Sequence, residues 1–252
     1  MFTQNQDNHQ VVVKPYIQAS LQHAGAFAAD DVLFNWTEVK VPKTNCRLHG
    51  CTVMMRGTNG ARQEHAFDLY FSKSDDYSLG TVNSAVSMQP NNDLVGSVPV
   101  KTKYYTDGLN TMEAINVERT QVVTALPDRH SDDFPPRGVL NTGVRSLFIA
   151  AVAQDAIDFQ STVKTTAAHS AGDTNDITVD TTSALINFSK GDLIHAHDDA
   201  VVGTLGSVPD ATSLILENNT LNAQAIANND DLYNVNPITI YLNFNYTYAT
   251  AR

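Results

Sequence analysis

The sequence predicts an all-β protein, an antiparallel β-sandwich with a smaller β unit inserted ahead of its last strand. Three observations predict it. Nearly every strong hydrophobic pattern in the 252 residues has period two, the mark of a strand with one buried face. Clusters of Gly, Asn and Asp interrupt these runs at short intervals, as turns between strands do. The cleanest alternation comes last, behind a stretch of different composition. A chain this long can bury roughly 70–75% of the surface its unfolded form exposes, so it needs no staples to fold.

The elements follow in order. Val11-Val12-Val13 opens a first strand that Pro15 stops. Val32 to Val41 is a second, with Val32, Phe34 and Trp36 on one face, and Pro42 ends it or confines it to an edge. Arg47 to Arg56 alternates and runs into Gly57-Thr58-Asn59-Gly60. Asn-Gly favours a tight turn because φ > 0 costs it little, and Glu64 to Phe71 reads as the return strand, giving a predicted 47–56/63–72 hairpin. Asp75 to Gly80 is a turn, Thr81 to Met88 forms one or two helical turns, and Asp93 to Val100 is a strand. Asn116 to Leu126 reads as a strand, with a short helix from Thr111 as the alternative. Asp128 to Gly138 is a loop, and Arg145 to Ala153 is a strand buried on both faces.

Composition shifts near Ser161. From there to Tyr233 ten acids face only two basic residues, Lys164 and Lys190, and the aromatics are Phe188 and Tyr233 alone. Short strands are predicted at Asp176–Val179, Leu193–Ala196, Val201–Val208 and Ser213–Leu216, each bounded by a Gly-Asp, Asp-Asp or Asn-Asn turn. Beyond Pro237 the chain sets Ile238, Ile240, Leu242, Phe244, Tyr246 and Tyr248 against Thr239, Tyr241, Asn243, Asn245 and Thr247. A strand that regular must face a large apolar surface, which the aromatic-rich first 160 residues offer and the acidic stretch does not. The expected organisation is therefore a sandwich of residues 1–160 plus 234–252, with 161–233 as an inserted small β domain.

Charge and composition exclude several roles. Sixteen Lys and Arg against 27 Asp and Glu leave a net charge of −11, contrary to the basic field that nucleic-acid binding requires. No stretch approaches the ~20 apolar residues of a membrane span, and the polar start predicts a protein made in the cytosol. Cys46 and Cys51 would close only a very small disulfide loop, and they read as small strand residues, with His49 the nearest other metal donor.

Catalytic templates are absent: no phosphate-binding glycine loop, no H-E-x-x-H, no C-x-x-C and no G-x-S-x-G. Adjacent acids such as Asp30-Asp31 and Asp198-Asp199 read as turn residues. The sharpest chemical lead is His195-Ala196-His197-Asp198, where alternation along a strand would put both imidazoles on one face, suited to a single metal ion. The bland reading is two exposed histidines at the lip of a hairpin. Asp173 and Asp176, around Gly172-Asp173-Thr174-Asn175-Asp176, have calcium-type donors without a complete calcium loop. No cofactor is predicted.

The first 160 residues carry a series of short motifs. Ala26-Phe27-Ala28-Ala29-Asp30-Asp31-Val32 precedes a strand, Cys46-Arg47-Leu48-His49-Gly50-Cys51-Thr52-Val53 follows, then Phe67-Asp68-Leu69-Tyr70-Phe71, Asp93-Leu94-Val95-Gly96 and Leu147-Phe148-Ile149-Ala150. This order resembles a loosely defined group of tailed-bacteriophage virion proteins with a jelly-roll-like domain. Lys190-Gly191-Asp192-Leu193-Ile194 and Val201-Val202-Gly203-Thr204-Leu205 are similar to the small β-barrel insertions of phage structural proteins. The resemblance implies a non-enzymatic virion component: a capsid decoration or accessory protein on the outer head surface. It would be assembled in the host cytoplasm as a symmetric homo-oligomer contacting the major capsid protein or neighbouring virion proteins, without nucleic acid or membrane. Two alternatives come from other classes. One is a glycan- or receptor-binding tail or baseplate module using Trp36, Tyr104, Tyr105 and the Asp-Asp turns. The other is a cupin-like metal protein built on His195 and His197.

Overall fold

The structure is a computed structural model describing residues 3–42, 46–56, 64–87, 93–105, 113–118, 124–125, 144–180, 187–219 and 222–250. Strands β1 (Thr3–Val13), β2 (Val32–Pro42), β3 (Cys46–Arg56), β4 (Phe67–Ser72), β5 (Leu94–Val100), β6 (Glu113–Glu118), β7 (Thr124–Ala125) and β8 (Val144–Ala153) come first. They are followed by β9 (Asp176–Thr178), β10 (Leu193–Ala196), β11 (Val201–Asp210), β12 (Ser213–Leu216), β13 (Leu232–Asn234) and β14 (Ile238–Thr250). One short helix, α1 (Ala19–Ala24), lies between β1 and β2.

The strands form three antiparallel sheets, so the all-β prediction holds. The first runs β1-β14-β3-β6, with β7 also on β3, and the second runs β2-β8-β4-β5. With the two-residue β7 counted as an extension beside β6 on the same strand β3, the chain crosses between these two sheets at every step except β4 to β5, which is the winding of an eight-stranded jelly roll. Its core is one cluster fed from both sheets. Phe34, Val39 and Val41 of β2, Phe67, Leu69 and Phe71 of β4, and Leu147 and Ile149 of β8 meet Leu48, Val53 and Met55 of β3.

The last strand completes this core. Ile238, Ile240, Leu242 and Phe244 are all buried, and the alternate residues Thr239, Tyr241, Asn243 and Asn245 are half-exposed on the other face. Period-two alternation is what a pleated strand with one covered face requires. β14 pairs with β1 from Thr3↔Thr250 to Val13↔Ile240, and on its other side with β3. The strand therefore lies between two strands from the far end of the chain.

The third sheet, β13-β10-β11-β12-β9, is formed between β8 and β14 and has its own cluster of Val163, Ile177, Ile194, Val202, Leu205, Leu214, Leu216 and Leu232. It is not a closed barrel of regular strands. Residues 163–166 instead reach both of its edges. Thr165 bridges Val179 just beyond β9, and Lys164 bridges Asp231 just before β13.

Several expectations need correction. β3 and β4 are not a hairpin: β3 pairs with β14, β6 and β7, and β4 pairs with β5 and β8 in the opposite sheet. Both strands bury alternate apolar residues, and facing each other across the core serves that pattern as well as lying side by side. The predicted Asn59-Gly60 turn lies outside the described residues. No helical turn forms over 81–87. Asn83 takes a left-handed φ of 58°, and the backbone there bonds to β2 and its approach, with Val32 N–H donating to Ser84 O and Val86 N–H to Asp30 O. Residues 113–118 are strand, which removes the helical alternative there. The loop expected over 128–138 is outside the described residues.

Trp36 is not in the sandwich core. Register shifts at Val32/Phe34 and Phe34/Thr37 break the alternation of β2, so Phe34 turns inward while Val32 and Trp36 lie on the outer face. There they meet Leu79, Val82, Tyr70, Ala150 and Val152, and the segment around 79–86 straps over that sheet.

Candidate functional site

The polar chemistry concentrates where α1 and the ends of β1 and β3 meet the third sheet. Helix α1 has six residues and no side-chain cap, so packing rather than propensity must hold it. Ala19 packs on Tyr233 and Val235. The buried Gln22 amide donates to Ile17 O (2.8 Å) and Asn234 O (3.0 Å), tying the helix to the end of β13.

Asp192 is the centre of one half of this seam. Only 2% exposed, it accepts from Ser189 N–H (2.9 Å) and Asn234 Nδ2 (2.8 Å). Arg56 Nε at the end of β3 stands 3.7 Å away and Lys14 Nζ just after β1 stands 3.8 Å away. Arg56 also donates to the Ser189 hydroxyl. A buried carboxylate needs this degree of pairing, because an unpaired charge out of water would cost several kcal/mol. Both cations come from the sandwich and the acid from the third sheet.

The other half is a histidine–aspartate cluster. His197 Nδ1 and Asp230 Oδ1 share a hydrogen bond of 2.5 Å, and the rings of His197 and His23 sit 5.2 Å apart. His23 Nδ1 meets the Tyr233 hydroxyl at 2.8 Å and Asp231 at 3.9 Å, and Lys164 reaches Asp231 at 3.6 Å. The Asp230 carboxylate raises the His197 pKa above the ordinary histidine value. Burial, with Asp231 adding to it, pushes the Tyr233 phenol up to about 12. On the near side of α1, the Ser20 N–H and hydroxyl both donate to Asp199, at 3.1 and 2.5 Å.

His195 and His197 do not share a strand face. β10 ends at Ala196, and the hairpin turn places His197 in solvent. A register shift at Ile194/His195 leaves His195 buried at 5% exposure, edge-on to Tyr16 at 5.9 Å. Burial holds its pKa below the ordinary value, against the opposing pull of Asp199. Asp198 is a turn residue whose Oδ1 accepts Ala200 N–H. Among the described residues, no group of three or more His, Cys, Asp or Glu is arranged to hold a metal ion.

The other candidates also resolve. The Asp173 loop is organised by Asn222, whose Oδ1 accepts from the Asp173 and Thr174 N–H groups (3.0 Å each) and whose Nδ2 donates to Ser170 O and Gln224 O. Asp176 accepts from the Ser213 hydroxyl. Tyr104 is 41% exposed, but Tyr105 is in the sandwich core with its hydroxyl on His65 O (2.9 Å). The Trp36 indole N–H donates to Tyr77 O. Cys51 is a buried core residue. Sequence reasoning missed Asp192, Asn222, Gln22 and His23, since nothing local separates Asp192 from the nine other acids of its stretch.

No protein-family model matches the chain, and no curated protein matches it. The atomic structure of Sulfolobus Turreted Icosahedral Virus aligns over 96% of this chain and 90% of its own, at 10% identity and a TM-score of 0.13. A score that low carries no argument about this chain.

Proposed function

We propose that the chain is a non-enzymatic structural component of a tailed-phage particle, a head decoration or accessory protein on the outer capsid surface that acts through protein–protein contacts. Eight-stranded jelly rolls serve viral coats, lectins and cupins alike, so the site must choose among them. The observation that carries the choice is the interior. Phe27, Leu33, Phe34, Phe67, Phe71, Ile149 and Phe244 fill it, and neither His195 on β10 nor His197 in the turn after it belongs to that interior. The glycan reading loses Tyr105 to the core and the Trp36 N–H to a backbone carbonyl.

In this reading residues 1–160 with 234–252 are the scaffold, and 161–233 form an inserted module fixed to it through Asp192, Arg56 and Lys14. The charge of −11 favours an outward position, because packaged DNA repels an acidic lining. Image reconstruction of the particle tests this, with density for the chain expected on the outer head surface. A strictly monomeric chain that ignores purified capsids would overturn the reading, and specific binding on a glycan array would replace it with the receptor-binding one.

A further inference from the structure

We infer that the joint between the sandwich and the third sheet holds a binding site for one water molecule, presented by Asn187, and that this water is part of the joint.

The chain path sets the place. The backbone leaves the sandwich through Phe159 and Ser161 and comes back through Tyr233, Asn234 and Pro237, and all five line one pocket of about 230 Å³, its open mouth included. Gln22 of α1 and Arg56 at the end of β3 complete the wall on the sandwich side, and Asn187 stands on the side of the third sheet. The return crossing is held by direct bonds as well. Arg56 N–H donates to Pro237 O (2.9 Å) and the Gln22 amide to Asn234 O (3.0 Å).

Asn187 brings the unmet chemistry. It is 4% exposed and its backbone carbonyl accepts Asn234 Nδ2 (3.3 Å), but neither Oδ1 nor Nδ2 of its side chain has a hydrogen-bonding partner on the protein. Burying a carboxamide in that condition is costly, and folded proteins meet such groups with protein or with ordered water.

Charge and size select the ligand. The amide presents an acceptor and a donor side by side. An anion would serve Nδ2 and repel Oδ1, and the Asp192 carboxylate 3.7 Å from Arg56 Nε would add to the repulsion. A cation would serve Oδ1 and face the Arg56 guanidinium. A neutral molecule that both donates and accepts serves both ends. The depth of the pocket has room for a single water-sized molecule, which excludes sugars, nucleotides and amino acids. The Arg56 guanidinium and the Ser161 hydroxyl on the same wall bring further hydrogen-bonding groups, in keeping with the roughly two to four partners of a buried water. A water held there links the third sheet to the sandwich where the chain passes between them, with nearly the enthalpy of a direct bond.

NMR of the purified full chain tests this. The Asn187 side-chain amide protons should show a cross-peak to water with the sign of a long-lived contact. Oxygen-17 relaxation dispersion, which sees water alone, should count one fewer long-lived molecule in Asn187→Leu than in wild type. The leucine variant should also melt several degrees below wild type, because it takes a satisfied amide out of a polar pocket. Were the amide dry, the same change would relieve an unpaired polar group and raise the midpoint. A wild-type amide without a water contact, an unchanged count of long-lived water, or a raised midpoint overturns the site. If the variant does not fold, the wild-type contact decides by itself.

Discussion

The sandwich and the third sheet solve the same problem by different means. The sandwich has strands of up to 13 residues and a core rich in phenylalanine, including Phe27, Phe34, Phe67, Phe71, Phe159 and Phe244. The third sheet has strands of as few as three residues and a core of Val, Ile and Leu around Phe188. Its apolar area is smaller, and side-chain amides and carboxylates make up the difference. Asn222 stitches one loop, Asp210 caps the β11–β12 turn through Thr212, and Thr165 bonds Ala227 O. Burial stabilises the large unit, and side-chain hydrogen bonds of this kind help to fix the small one. The two should therefore fail in different ways.

The largest effect is expected at β14. Phe244→Ala empties a fully buried site between β1 and β3 and should cost about 3–5 kcal/mol in urea unfolding. Hydrogen exchange should show loss of protection in the β1-β14-β3 ladder ahead of the third sheet, and simultaneous loss in both would refute two separately failing units. Asp192→Ala comes next, at about 3 kcal/mol, because it strands Arg56, Asn234 and the Ser189 N–H at the seam. Its signature should be protease cleavage near 187–192 and 234–237 rather than in either core. Asn222→Ala should cost about 2 kcal/mol through four lost partners. Exchange should rise over 170–176 while the sandwich is untouched, and added calcium should not restore the loop.

The smallest effect is electrostatic. His197 has a folded pKa above the ordinary value because of Asp230, so its contribution is complete below the unfolded pKa of about 6.5 and fades as pH rises through the folded one. His195 works in the opposite sense. Its folded pKa is depressed by burial, so stability is full above about 6.5 and falls as pH drops from there towards the folded value. His197 is exposed, so its share should be no more than about 0.5 kcal/mol, and His197→Gln should remove it. Proton NMR titration should place the two imidazoles on opposite sides of the free-histidine value, and coincident curves would contradict the structure.

How much the sequence disclosed follows the same division. The alternation of Ile238 to Phe244 was readable because a period-two pattern records which face is covered. The strands at Leu193–Ala196 and Ser213–Leu216 were readable because turn residues bracket them closely. Partner choice was not. Asn59-Gly60 is a local signal, whereas β3 takes β14 from nearly two hundred residues away for the sake of a shared core. Val32 and Trp36 were placed on one face with Phe34 because alternation was extended through bulges that composition does not mark. His195 and His197 were set on one face because strand alternation was carried past Ala196, although the Asp198-Asp199 turn already closes β10 there. Seam residues such as Asp192 and Gln22 gain their roles from burial alone, and an isolated Asp or Gln reads the same in or out of water.

The pairing of β1 with β14 has a consequence for biosynthesis. Gln10 and Asn243 touch although 233 positions separate them, and Val12 meets Tyr241 on the same ladder. A chain emerging from the ribosome can assemble β2, β4, β5 and β8 early, but β1 and the β14 side of β3 stay open-edged until the final strand is made. Pairing at that separation is slow, and unpaired edges attract other nascent chains. Expression temperature and chaperone supply should therefore govern yield more than the stability of the finished protein does.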